Sequence, residues 1–170
     1  TEAGVENFRY VAEYCRTVGI KVALETMEVP SHLAILLEKL PSDIVGVCWD
    51  SGHNLAYTPE VDWPRKAKGR LFCTHLHDND GKTMGPIPNT RCDTHFLPFD
   101  GVRDWEDAMC SLAESGYRGP LTLEVKKGRD VCRQLPIYAE WGEARFMKEA
   151  YARADRLRTL FEEACRRLGG

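Results

Sequence analysis

Four apolar runs of the sequence each end in a carboxylate or an imidazole. These residues are Glu25 in KVALET, Asp50 in IVGVCWD, His75 in LFCTHLH and Glu124 in PLTLEV. Because side chains alternate between the faces of a strand, each run would have a bulky apolar face and an opposite face carrying one of these groups. Three carboxylates and an imidazole brought together would repel one another strongly without a counterion. This mixture of oxygen and nitrogen ligands suits one divalent ion, Mn²⁺, Co²⁺, Mg²⁺ or Zn²⁺.

Helical segments alternate with these four runs along the chain. The predicted helices cover residues 5–18, 32–40 after a Ser31 cap, a short segment from Thr58 and Pro59 that Pro64 breaks, 105–115 between Asp104 and Gly116, and about 138–168. This alternation predicts an α/β fold with a parallel sheet. Ligands bind at the carboxyl ends of the strands in such folds, so we expect the four strand-end residues to converge there.

Three further histidines lie close to these strand ends in the sequence. His53 follows Asp50 by one helical turn in WDSGH, where a simple turn would need the Asp and the Gly but not the histidine. His77 shares the face of His75 and is expected to contact substrate or to orient a ligand. His95 lies in the long irregular segment 79–101, and such segments are often functional; it is a substrate contact, a second-metal ligand or a solvent-facing residue. Asp78 is interpreted as a turn former able to orient a ligand.

Composition narrows the class of protein. The 170 residues are 43% hydrophobic with a net charge of −3, which is typical of a soluble globular domain and argues against nucleic acid as a partner. No run reaches the roughly 18 to 20 apolar residues that a membrane span needs. Seven cysteines without a CxxC pair favour a reducing cytoplasm. The chain begins without Met, close to a helix, so we expect its N-terminus to be missing.

Five motifs in order resemble the xylose-isomerase-like barrels, which include sugar epimerases and isomerases, inosose dehydratase and endonuclease IV. The motifs are ALET, WDSGH, HLHDNDG, DTHFLPFDG and GYRGPLTLEV, over roughly residues 5–130. The resemblance implies a TIM-type (β/α)₈ barrel, which takes about 250 residues. Only about four β/α units are present, so residues 1–170 are expected to be a single domain, the C-terminal half of a barrel, as a truncated chain or a natural half-barrel.

The resemblance also implies a function. Glu25, Asp50, His75 and Glu124 look like ligands of one catalytic metal in a sugar or sugar phosphate isomerase or epimerase. Glu25 and Glu124 would be the paired acid and base on a ketose, working through a metal-stabilised enediolate. His53, His77 and His95 would contact the sugar or polyol substrate. A homo-oligomer is a further expectation.

Other readings of the same resemblance stay open. In an endonuclease IV-like phosphodiesterase, His53, Asp93 and His95 would bind further zinc ions, and an inosose-dehydratase-like lyase would use the same metal and bases. A non-enzymatic module with a barrel fold is a third class. The PFDG turn, residues 98–101, departs from the P-G-x-G form common in the family.

Overall fold

A computed structural model describes residues 1–27, 29–81, 93–127 and 136–169. Within these ranges the chain forms three strands and seven helices. Their order is α1 (Glu2–Thr17), β1 (Val22–Glu25), α2 (Pro30–Lys39), β2 (Val45–Asp50), α3 (Ser51–Tyr57), α4 (Trp63–Lys66), β3 (Leu71–His75), α5 (Trp105–Glu114), α6 (Pro136–Ala139) and α7 (Glu143–Gly169). The predicted α/β class is therefore confirmed.

The three strands form a parallel sheet in the order β1-β2-β3. In this register Glu25 is opposite Cys48, and Asp50 is directly opposite His75. Since parallel strands end at the same edge of a sheet, the polar residues at the ends of these strands are neighbours.

The predicted fourth strand is reduced to one parallel bridge between Leu76 and Leu123. Leu76 N donates to Thr122 O at 2.8 Å, and Glu124 N donates to Leu76 O at 3.2 Å. Between β3 and residues 120–122, the Thr74 hydroxyl takes the place of backbone hydrogen bonds, because it donates to Pro120 O and accepts from Thr122 N. The segment still lies beside β3, which brings Glu124 to the same sheet edge.

The helix predicted to start at Thr58 and Pro59 does not begin there. Thr58 ends α3, and its hydroxyl accepts a hydrogen bond from Trp63 Nε1 at 2.9 Å. The hydroxyl is thus occupied by a buried indole. Helix α4 begins at Trp63 instead, capped by Asp62, which accepts from Arg65 N at 3.1 Å.

The other predicted helices form with small changes at their ends. Asp104 caps α5 as predicted, since its carboxylate accepts hydrogen bonds from two backbone N–H groups of the first turn. Helix α2 begins at Pro30, which lacks an N–H and suits the first turn, so Ser31 lies inside the helix. The stretch predicted over 138–168 is divided into α6 and α7, with Gly142 directly before α7.

The apolar face of β2 packs against α5 and α7. Val47 and Trp49 are buried together with Met109 and Leu112 of α5 and Leu157 of α7. Each such side chain stabilises the fold by roughly 1.5–3 kcal/mol when fully buried. Because side chains alternate along β2, this packing turns Asp50 toward the opposite face of the sheet.

About half of the irregular segment predicted over 79–101, residues 82–92, lies outside the described residues. Its described C-terminal part pairs with the chain that follows β3. Asp78 and Phe96 form an antiparallel bridge with hydrogen bonds of 3.0 and 2.9 Å. Among the described residues, the helices are too short or too polar to cross a membrane.

Candidate functional site

The structure brings together the four residues that the sequence analysis placed at the strand ends. Glu25, Asp50 and His75 end β1, β2 and β3, and Glu124 follows the bridged Leu123. One ligand atom from each of the four lies within 4.8 Å of the others; they are called the strand-end group below. His75 Nδ1 is 3.0 Å from Glu25 Oε1 and from Glu124 Oε2. These three side chains are 32–41% exposed, whereas that of Asp50 is 0% exposed, so three of the four are open to solvent.

The protein holds Asp50 through both its carboxylate and its backbone. Its Oδ1 accepts from His53 N at 2.6 Å, which caps α3. The Thr26 hydroxyl accepts from Asp50 N at 3.0 Å and donates to Asp50 O at 3.3 Å. Burial acts to raise the pKa of Asp50, but the hydrogen bond from His77 and the charges of His77 and His53 outweigh it and leave that pKa below its ordinary value. Asp50 thus caps a helix and stays ionised, as a metal ligand must.

A second group lies beside the first. His53 Nε2 and His95 Nε2 are 3.1 and 2.9 Å from Asp93 Oδ2. These three residues, called the loop group, also place one ligand atom each within 4.8 Å of the others. Their side chains are only 5–19% exposed. The two groups adjoin, because His53 Nδ1 is 3.4 Å from Glu25 Oε1 and His95 Nδ1 is 2.9 Å from Glu124 O.

In the loop group, protonated histidines offset the negative charge of the Asp93 carboxylate. Burial lowers the pKa of His53, but the hydrogen bond to Asp93 and the nearby carboxylates raise it to about 9. The pKa of His95 is also raised, with burial again opposed by the Asp93 hydrogen bond. Burial would raise the pKa of Asp93, yet the hydrogen bonds from both histidines hold it well below its usual range. A cation bound here would have to displace these protons.

His77 lies between the two groups and is fully buried. Its Nε2 is 2.9 and 3.1 Å from the two oxygens of Asp50. Its ring stacks on that of His95, with centroids 4.0 Å apart and planes at 9°. Of the two roles predicted for His77, these contacts favour the orientation of a ligand over contact with substrate.

Three buried atoms of His77 and of the two groups have no hydrogen-bond partner among the described residues. They are His77 Nδ1, Asp93 Oδ1 and Glu124 Oε2, and the first two are 3.7 Å apart. An unsatisfied buried polar atom costs about 1–3 kcal/mol, so such atoms are normally paired with water or an ion. Together with the imidazole and carboxylate donors of both groups, these atoms show that the residues present fit a divalent cation.

Asp78 holds the loop that carries Asp93 and His95. Its carboxylate accepts from Phe99 N, Arg103 N and Trp105 Nε1 at 2.8–3.2 Å. A buried carboxylate with several donors fixes the chain that supplies them. No local pattern reveals this role, because the donors lie 21 to 27 positions further along the sequence.

Helices α6 and α7 support the turn that departs from the family pattern. Phe99 has φ 74°, a conformation that favours glycine. The Arg156 guanidinium lies 3.8 Å from the centroid of the Phe99 ring. Asp100 accepts from the Tyr138 hydroxyl at 2.7 Å and pairs with Arg153 at 3.1 Å. These contacts stabilise a non-glycine turn four residues after His95.

The sequence profile of the xylose isomerase-like TIM-barrel family matches residues 2–151. The chain belongs to this family. The resemblance predicted from the motifs is therefore confirmed, and the partial parallel sheet with its covering helices corresponds to part of an α/β barrel.

The relatives found by sequence are longer than this chain. The uncharacterized protein y4fM of Sinorhizobium fredii is 32% identical over 139 residues, which are 78% of this chain and 42% of that protein. The 3-dehydroshikimate dehydratase of Pseudomonas putida is 25% identical over 130 residues, 71% of this chain and 20% of that enzyme. The chain thus spans less than half the length of these relatives.

Solved structures with the same fold include sugar epimerases. D-psicose 3-epimerase of Clostridium cellulolyticum H10, solved with D-tagatose, superposes with a TM-score of 0.76 at 20% identity over 94% of this chain and 56% of that chain. L-ribulose 3-epimerase gives a TM-score of 0.69 at 17% identity, over 97% and 55% of the two chains. The IOLI protein, solved with a bound zinc atom, gives 0.68 at 18% identity, over 96% and 56%. At these identities the likeness shows the fold alone.

Proposed function

We propose that this protein is a divalent-metal-dependent isomerase or epimerase of sugars or sugar phosphates. The observation that carries the proposal is the strand-end group. Its two glutamates come from the two outer elements of the row β1, β2, β3 and the bridged segment, while Asp50 and His75 lie between them. A ligand held at Asp50 and His75 would therefore have a glutamate on either side.

The four residues of the strand-end group would hold the cation. Once bound, the ion supplies positive charge that stabilises the negative charge developing on the sugar oxygens. Asp50 is fully buried and already ionised, so it acts as a ligand and not as a group that meets substrate. His75 contacts both glutamates and sets their separation.

Glu25 and Glu124 are the proposed acid and base. Both carboxylates are partly exposed and can reach a molecule above the sheet edge. One removes the proton on the carbon next to the carbonyl to give an enediolate, and the other returns a proton to the opposite face. Such proton transfer contributes about 10²- to 10⁴-fold to a rate. The Nε2 atoms of His53 and His95 contact Asp93, so these histidines would donate hydrogen bonds to substrate oxygens in place of that carboxylate.

Several findings support this reading without testing it. Two of the structures with the same fold are named as 3-epimerases of sugars. We propose that this chain supplies the C-terminal half of such a barrel. All five cysteines within the described residues are free thiols, in keeping with the cytoplasmic location that we propose.

The loop group favours a second candidate, a multi-zinc phosphodiesterase. One carboxylate between two imidazoles is a ligand set that zinc accepts. A lyase is the third candidate, since a dehydratase is among the relatives. The two alternatives differ from the main proposal in the number of ions and in the bond that breaks.

The test uses the intact protein, equilibrated with Mn²⁺, Co²⁺ or Zn²⁺ and dialysed. Metal content per chain is measured first, followed by turnover of ketoses and ketose phosphates in D₂O. We expect about one ion per chain and deuterium at the carbon next to the carbonyl. Glu25→Gln and Glu124→Gln are each expected to lower turnover by about 10²- to 10⁴-fold, and the exposed Glu38→Gln is the matched control.

Other results would redirect the assignment. Near-normal turnover in Glu124→Gln would exclude the mechanism with two glutamates. Two or more zinc ions, the second requiring His95, together with hydrolysis of abasic DNA, would establish the phosphodiesterase. Loss of water from a polyol substrate, without epimerisation, would establish the lyase.

A further inference from the structure

We propose that His77 is a positioning residue, which holds the Asp50 carboxylate in the orientation that the strand-end ion requires. The inference rests on the proposed function, because Asp50 must bind an ion for its orientation to matter. It goes beyond that function by assigning His77 a role that is separate from contact with substrate.

The contact between His77 and Asp50 has a defined direction. His77 Nε2 is 2.9 and 3.1 Å from the two Asp50 oxygens. An ionised carboxylate can only accept, so Nε2 carries the hydrogen. Asp50 Oδ1 also accepts from His53 N at 2.6 Å. The protein thus fixes both the rotation and the tilt of the carboxylate, as the hydrogen-bond partners of metal-binding carboxylates commonly do.

The surroundings of His77 are arranged to hold its ring. Ser51 Oγ donates to His77 O at 2.6 Å and accepts from His77 N at 2.9 Å, which fixes the backbone of His77 in both directions. Gly52 leaves the space for the ring, since a Cβ there would lie 1.8 Å from His77 Cε1. The stack on His95 closes one face of the ring. Ser51 and Gly52 therefore position an imidazole that lies 26 and 25 residues further along the chain.

The alternative is that His77 only fills space in the core. The two roles make opposite predictions for two substitutions. His77→Phe keeps the ring and its volume but cannot donate a hydrogen bond to Asp50. His77→Gln loses the ring but has an amide N–H₂ that can donate from nearly the same place as Nε2. A positioning residue tolerates Gln better than Phe, whereas a space-filling residue tolerates Phe better than Gln.

The experiment measures Co²⁺ affinity and the visible Co²⁺ spectrum in the intact protein, and the metal-free melting temperature of each variant. Asp50→Ala identifies the ion that belongs to the strand-end group. His77→Phe is expected to lower the affinity for that ion by about 10- to 100-fold and to change the visible spectrum of bound Co²⁺. His77→Gln is expected to keep an affinity and a spectrum close to those of the wild type. His32→Phe and His32→Gln, at an exposed histidine on α2, are the matched controls.

Each outcome decides the question. Wild-type protein without an Asp50-dependent ion would overturn the proposed function together with this inference. An Asp50-dependent ion that His77→Phe binds with unchanged affinity and spectrum would overturn this inference alone. Equal weakening in both variants, in step with their melting temperatures, would leave His77 a purely structural role. If His77→Phe does not fold, His77→Asn replaces it, because its shorter amide cannot reach Asp50.

Discussion

The strand-end group and the loop group adjoin, yet the chain builds and neutralises them differently. The strand-end group has three carboxylates and one imidazole, on three regular strands and on the residue after the bridged Leu123. The loop group has two imidazoles and one carboxylate, on the first turn of α3 and on a loop that Asp78 holds. Protons on two histidines can neutralise the loop group, whereas one histidine cannot neutralise three acids. We therefore propose that the strand-end group depends on a cation, whereas the loop group can balance its charge with protons.

The largest expected effect separates the two groups by their aspartates. Asp50→Ala should lower the affinity of the strand-end group for its ion by more than about 100-fold, because it removes a ligand and not only a ligand's partner. Asp93→Ala should change that affinity by no more than a few-fold. Calorimetric titration with Zn²⁺ or Mn²⁺ measures both. Asp104→Ala is the control, since it removes a similar helix cap outside the site; loss of the ion in Asp93→Ala but not in Asp50→Ala would reverse the comparison.

The next effect concerns pH in the metal-free protein. The folded-state pKa of His53 is raised from 6.5 to about 9, so its contribution to stability is complete below about pH 6.5 and is lost as the pH rises through 9. We expect the free energy of unfolding to fall by about 2–3 kcal/mol over this window. Urea unfolding in the presence of a chelator measures it. His53→Asn should flatten the profile, and an equally steep profile in that variant would assign the pH dependence to another group.

A smaller effect tests the space beside the strand-end group. Gly52→Ala places a Cβ against the His77 ring and should lower the free energy of unfolding by about 2 kcal/mol. Gly4→Ala, also in the first turn of a helix, meets only Thr1 Oγ1 at 3.4 Å and should be neutral or slightly stabilising. Equal stability changes in the two variants would mean that His77 is free to move.

The smallest effect concerns the support of the loop group. Tyr138→Phe removes a hydroxyl that donates to Asp100 and accepts from Leu97 N, two residues after His95. We expect the free energy of unfolding to fall by about 1 kcal/mol. If the loop group binds an ion, its affinity for that ion should fall, whereas the affinity of the strand-end group should not change. The exposed Tyr10→Phe is the control. A fall in the affinity of the strand-end group would show that the two groups share this support.

The same contrast explains what could be predicted from the sequence. Alternation along a strand is a local property, so the convergence of Glu25, Asp50 and His75 follows once the strands are recognised. The role of Asp78 depends on donors far along the chain, and no local pattern encodes it. The wrong helix start at Thr58 has a different cause, because the indole of Trp63, only five residues along the chain, donates to the hydroxyl that would have capped the helix.

The attachment of α3 to the residues after β3 has a consequence for sequence change over evolution. Asp50 accepts hydrogen bonds from His53 N and His77 Nε2, and Ser51 fixes the backbone of His77. Gly52 leaves space for the His77 ring, and its carbonyl accepts a hydrogen bond from the Asn79 side chain at 2.9 Å. Substitution at the two middle positions of DSGH should therefore be tolerated as poorly as substitution at its ends. Selection on this segment would preserve four consecutive residues, although only Asp50 and His53 among them belong to the strand-end and loop groups.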